Sequence, residues 1–229
     1  MESYKVELET IAQKLTQSRL NCGKSMKNCA DAIGTTVSRY KKIESGELIP
    51  TLPELETLSY FFNVPMIALI GKQEGKQETS SAAPNPNTLF HLVEIRNSVI
   101  GTLLQIEREK KSITLKDMAA RCEITRSRMK RYESGLSGIP LNDLLKIAAV
   151  LSIDLNAFFD RNSPIGIWQK SQQTLLAFLA LPAEIQDFVT DRTNLPYLEL
   201  AQKMKNLRPE DLEVMSEAIQ LILQNLPLN

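Results

Sequence analysis

One stretch of this chain occurs twice, and that repetition limits what it can fold into more than any other feature. Residues 25–46, SMKNCADAIGTTVSRYKKIESG, return 89 residues later as residues 114–135, TLKDMAARCEITRSRMKRYESG. At that offset residues 25–70 and 114–159 align without a gap, and 12 of the 46 positions are identical, among them Ala30/Ala119, Thr36/Thr125, Ser38/Ser127, Arg39/Arg128, Glu44/Glu133 and Gly46/Gly135. Many of the other pairs exchange one apolar residue for another in the same phase, as in Ile43/Tyr132 and Leu58/Ile147. A duplicated unit has to satisfy a single structural reading in both copies.

In the first copy Ser25 stands at an N-cap. Cys29, Ala30 and Ile33 follow at the spacing of one buried helical face, and Gly34 stops the turn. Thr36 caps a second short helix that points Tyr40 and Ile43 inward, leaves Val37, Ser38, Arg39, Lys41 and Lys42 outside, and closes at Gly46. The second copy repeats the grammar: Thr114 as cap, Met118 and Ala119 inward, Thr125 as cap, Met129 and Tyr132 inward, Gly135 as stop. Two short helices joined by a tight turn, with a small residue where they touch, make a helix-turn-helix.

Taken with the proline and the Leu-x-x-Leu helix that follow, this pattern resembles the lambda-repressor-like, or Xre-type, helix-turn-helix domain over about residues 11–70 and 100–159. The resemblance implies an all-α chain with two five-helix domains. In each, the second helix of the motif would lie in the major groove of double-stranded DNA. By the same resemblance Val37, Ser38 and Lys42 in copy one and Arg126, Ser127 and Arg131 in copy two face base edges, while Thr36, Arg39, Ser45, Thr125, Arg128 and Ser134 sit near phosphates and Lys130 adds to the basic surface. A guanine would suit Arg126 or Arg131, whereas Val37 offers only an apolar contact. Two departures stand out. Met26 and Leu115 replace the glutamine usual at the second position of the first motif helix, and Glu123 replaces the turn glycine, which predicts a slightly different turn in copy two.

The segments outside the repeat set the rest of the architecture. Residues 4–21 read as an opening amphipathic helix through Val6, Leu8, Ile11, Leu15 and Leu20. Residues 72–88, rich in Gly, Ser, Pro and Asn and without apolar period, read as a flexible linker between a first domain at 1–71 and a second at 89–160. A coil of that length spans roughly 20–25 Å, against about 34 Å between successive major-groove faces, so paired or separate half-sites are both within reach. Residues 161–229 form a third, helical module. Pro182, Pro196 and Pro209 open its segments, and Leu212, Met215, Ile219, Ile222 and Leu226 are spaced as a narrow seam. Such a seam suits an intramolecular core more often than a dimer interface, but so small a tail makes a meagre core, which favours completion by a second copy as a homodimer.

Charge distribution supports a nucleic-acid partner although the net charge is zero. Between Arg108 and Tyr132 nine basic residues face three acidic ones, and between Cys22 and Ile43 the balance is five to one, while from Arg161 onward it is six to eight. Basic patches on the two motifs are what phosphate neutralisation requires.

Catalysis has little footing. The single histidine, His91, lies at the linker's edge as a solvated or half-packed residue, no His/Cys cluster, phosphate loop or nucleophile elbow is present, and neither cofactor nor metal is expected. Glu44 and Glu133 suit a structural role, each holding a neighbouring arginine or a backbone amide, better than an acid/base one. Trp168 is expected to anchor the second domain to the tail. No apolar run reaches membrane-spanning length, the N-terminus lacks a signal-peptide pattern, and three cysteines without metal spacing suit a reducing cytoplasm. The reading is a DNA-binding transcriptional regulator, a repressor by preference. The alternative is an antitoxin-like or regulatory interaction protein whose first domain binds a protein partner.

Overall fold

The computed structural model describes residues 8–71 and 86–225, and every regular element longer than a single bridge among them is a helix. The chain divides into two compact units, one running to Gln173 and the other beginning at Thr174. Residues 4–7 of the expected opening helix and most of the expected linker lie outside the described residues.

Copy one comprises α1 (Leu8–Asn21), α2 (Met26–Ala32), α3 (Val37–Glu44), α4 (Leu52–Phe62) and α5 (Met66–Ile70). Local chemistry sets each boundary. The Ser25 hydroxyl accepts from the Asn28 amide at 3.1 Å to start α2. Thr36 does the same for Arg39 at 3.2 Å in α3, and Thr51 with Glu54 forms a capping box on α4. Ile11 and Leu15 of α1, Cys29, Ala30, Tyr40 and Ile43 of the motif, and Leu52, Leu55 and Leu58 of α4 form the buried centre.

Copy two comprises α6 (Pro86–Lys110), α7 (Leu115–Arg121), α8 (Arg126–Glu133) and α9 (Leu141–Leu151), followed by a 3-10 turn over Leu155–Phe158 and then α10 (Pro164–Leu179). The offset of 89 carries into the backbone. Left-handed residues occur at Gly23, Gly34, Gly46 and Asn63 in copy one and at their counterparts Ser112, Glu123, Gly135 and Ser152 in copy two. Helix α6 already begins at Pro86, inside the stretch read as linker. Its last four turns correspond to α1, and the turns before them have no counterpart among the described residues of copy one.

Those extra turns pack on copy one. Leu89 and Val93 are buried, and Phe90 lies against Gly34, where an added Cβ would meet the Phe90 Cβ at 2.9 Å. The Arg96 guanidinium donates twice to the Glu56 carboxylate of α4, both at 3.2 Å, and Leu141 N donates to Pro50 O at 3.0 Å beside an antiparallel bridge between Thr51 and Pro140. From α10, Gln169 donates to the Ser59 hydroxyl and accepts from Met66 N, and Trp168 stands edge-on to Tyr60 with ring centroids 5.3 Å apart. Trp168 is therefore an anchor to copy one, through Tyr60 of α4, rather than the expected anchor between the second domain and the tail. The two copies share one continuous core.

Beyond Gln173 lie the end of α10, α11 (Ala183–Thr190), α12 (Leu195–Met204) and α13 (Pro209–Asn225), with a 3-10 turn over Arg192–Asn194. Pro196 lies in the first turn of α12 and Pro209 starts α13, where a proline gives up no helical hydrogen bond, whereas Pro182 stands one residue earlier than expected, as the N-cap of α11. No described residue from 174 to 225 is buried, and Leu212 and Ile219 of the expected seam are 41% and 47% exposed. The Ile222 and Leu226 side chains of that seam lie outside the described residues.

Candidate nucleic-acid interface

The surface that could meet a nucleic acid is built from α2–α3 and α7–α8. On α3, burial of Tyr40 and Ile43 turns Val37, Ser38, Lys41 and Lys42 outward, with Val37 44% exposed. On α8, burial of Met129 and Tyr132 turns Arg126, Ser127, Lys130 and Arg131 outward. Both caps, Thr36 and Thr125, are exposed at the helix starts, and the Thr125 hydroxyl accepts from Arg128 N at 3.3 Å. At the far ends the Ser45 and Ser134 hydroxyls each donate to a carbonyl three residues back, both at 3.2 Å.

Two ion pairs, each present in both copies, hold these helices. Arg19 of α1 donates to Glu44 at 2.7 and 3.0 Å, and Arg108 of α6 donates to Glu133 at 2.6 and 2.8 Å; the second pair is the first displaced by 89 residues. Both pairs are nearly closed to water, and the glutamates raise the affinity of Arg19 and Arg108 for their protons. The structural reading of Glu44 and Glu133 is what the geometry gives. Arg39 grips Glu54 of α4 at 2.5 and 3.3 Å, and Arg128 grips Asp143 of α9 at 3.0 Å. These two arginines, expected beside phosphates, thus also brace each motif helix to the helix after it.

The copies solve the buried tyrosine differently. The Tyr132 hydroxyl donates to Asp143 at 2.7 Å, and burial together with that bond pushes its pKa up to about 12. Tyr40 sits one turn earlier in register. Its hydroxyl is buried beside Cys29 and Glu44 without a hydrogen bond of good geometry, and burial drives its pKa up strongly.

The remaining cations are unspent. Lys27, Lys41 and Lys42 in copy one, and Lys111, Lys116, Arg121, Arg126, Lys130 and Arg131 in copy two, are exposed and make no ion pair among the described residues. Met26 and Leu115, at the glutamine position, are half-buried against the core, and the exposed Lys27 and Lys116 come next in sequence. The turn expected to differ does not. Gly34 and Glu123 have φ of +67° and +57°, so Glu123 adopts the left-handed conformation of a glycine.

The helix-turn-helix family model matches residues 15–69 and 104–158, beginning and ending at the same offset as the repeat. Both segments are helix-turn-helix domains. The match points to a DNA-binding regulator, and it takes in Arg19 and Arg108, the ion-pair residues ahead of each motif. No curated protein and no solved structure gave a significant match to the chain. Among the described residues no helix is long and apolar enough to cross a membrane, and no three His, Cys, Asp or Glu side chains group as a metal site. His91 is exposed, 3.6 Å from Glu94.

Sequence reasoning missed Arg19, Arg108, Glu54 and Asp143. The signal was the offset itself, because each arginine recurs as arginine and Glu54 recurs as an acid.

Proposed function

We propose that the protein is a sequence-specific, double-stranded-DNA-binding transcriptional regulator of the cytoplasm, a repressor acting by promoter occupancy, which lays α3 and α8 in the major groove. The observation that carries this reading is the set of exposed, unpaired cations on α8, Arg126, Lys130 and Arg131, beside a helix start whose cap is in place. Arg126, Ser127 and Arg131 are the base readers of copy two. Val37, Ser38 and Lys42 are those of copy one, and Val37 suits a thymine methyl. Thr36, Arg39, Ser45, Thr125, Arg128 and Ser134 lie along the phosphates, and the C-terminal unit joins two chains as a homodimer.

A second reading has one observation in its favour. The exposed Val37 and the smaller set of free cations give copy one a surface suited to a protein partner. Salt titrations of binding to a selected duplex separate the two. If copy one lies on DNA, Lys41→Ala with Lys42→Ala lowers affinity, and it flattens the slope of log K against log salt by about one unit for each of the two that neutralises a phosphate. Unchanged slope and affinity would reassign copy one to a partner.

A further inference from the structure

The first domain does not look like a free-standing copy of the second. Helix α4 is buried on every side over residues 52–59, with Glu54, Glu56, Thr57 and Ser59 all closed to water, whereas its counterpart α9 leaves Lys146 and Ala149 exposed. A helix buried all round belongs at the centre of a larger body. Copy two supplies the cover. Arg96 and Glu56 have side chains only 10% and 4% exposed, Arg96 also donates to the Phe158 carbonyl, and Glu56 accepts from Asp160 N at 2.7 Å. Thr51 pairs with Pro140, which is its own counterpart at an offset of 89. A residue meeting its own equivalent is the local mark of an approximate twofold axis. Phe90 closes the contact over Gly34, where no side chain fits.

We propose that the two helix-turn-helix domains form one rigid DNA-reading body, in which the interface of α4 with α6, and not residues 72–85, fixes the separation of the two half-sites. The proposal rests on both copies reading DNA. A free coil of fourteen residues would span about 20 Å and tolerate many separations. A buried interface tolerates few. Arg96 and Glu56 are then positioning residues that set specificity for spacing without touching a base.

The test begins with a bipartite site selected from random-sequence duplexes, from which a series is made with the half-sites moved apart one base pair at a time. Affinities are measured for the wild-type chain, for a chain with about ten Gly/Ser residues inserted between 78 and 79, and for Arg96→Ala and Phe90→Ala. The wild-type and lengthened chains should share one optimum, losing about tenfold or more within two base pairs of it. The two interface variants should flatten that profile while each half-site keeps its sequence. A profile broadened by the insertion and left sharp by both interface variants would overturn the proposal. Distances between spin labels at Ser38→Cys and Ser127→Cys, with Cys22 replaced by alanine, read the coupling without DNA. A narrow distribution in the wild-type and lengthened chains supports the rigid body, and a broad one in the wild type overturns it even where DNA binding is intact. A narrow distribution with no enriched DNA sequence would instead overturn the proposed function, and the half-site role with it.

Discussion

Gly34 and Glu123 occupy the same turn with φ of +67° and +57°, yet they are not interchangeable. Over Gly34 stands Phe90, so Gly34→Glu has to displace α6 as well as adopt a left-handed backbone. Glu123 opens to solvent, with Lys146 at 3.4 Å. Chemical denaturation should find Gly34→Glu destabilising by more than about 2 kcal/mol and Glu123→Gly within about 1 kcal/mol of the native chain. Tyr132 gives a pH test. Its folded pKa of about 12 lies above the ordinary tyrosine value of 10.0, so the folded chain holds this proton more tightly and loses stability as pH rises from 10 toward 12. Tyr132→Phe should remove that part of the alkaline slope while lowering stability at neutral pH by about 1 kcal/mol, and an unchanged slope would place the loss elsewhere. On DNA, Arg126→Ala should relax one base position at a cost of about 1–3 kcal/mol for the preferred base alone. Equal weakening of all sequences would make Arg126 a phosphate contact.

The motif helices are the elements most legible in the sequence, because their boundaries are local. Caps at Ser25, Thr36, Thr114 and Thr125 and stops at Gly46 and Gly135 lie where local chemistry requires them. Thr36→Ala and Thr125→Ala should each cost about 1 kcal/mol in thermal unfolding, since each leaves an exposed amide to water alone. What stayed hidden in the sequence was tertiary. The start of α6 falls among the Pro and Asn residues that suggested a linker, and the apolar residues that follow pack against the other copy rather than their own domain. The burial of the polar residues of α4 has no local signal, because nothing near them announces that Arg96, forty residues on, will pair with Glu56. Helix α10 escaped notice for the same reason, since its buried Gln169 has meaning only beside Ser59.

At the scale of the molecule, the first unit closes a core and the unit from Thr174 buries none of its described residues, with Leu195, Tyr197, Val214 and Leu221 each more than half exposed. Those side chains are the ones the proposed homodimer would cover. Sedimentation at micromolar concentration should find the whole chain dimeric and residues 1–173 monomeric, and a monomer in both cases would remove the homodimer from the account. The central claim, that both copies read DNA sequence, is tested most directly by selecting bound duplexes from a random library with the wild-type chain and with Val37→Ala, Ser38→Ala and Lys42→Ala combined, all exposed changes that leave the core intact. Two motifs at one fixed separation are expected from the wild type, and only the copy-two motif from the variant. The same motif from both chains would contradict the claim for copy one, and no enriched sequence from the wild type would contradict it altogether.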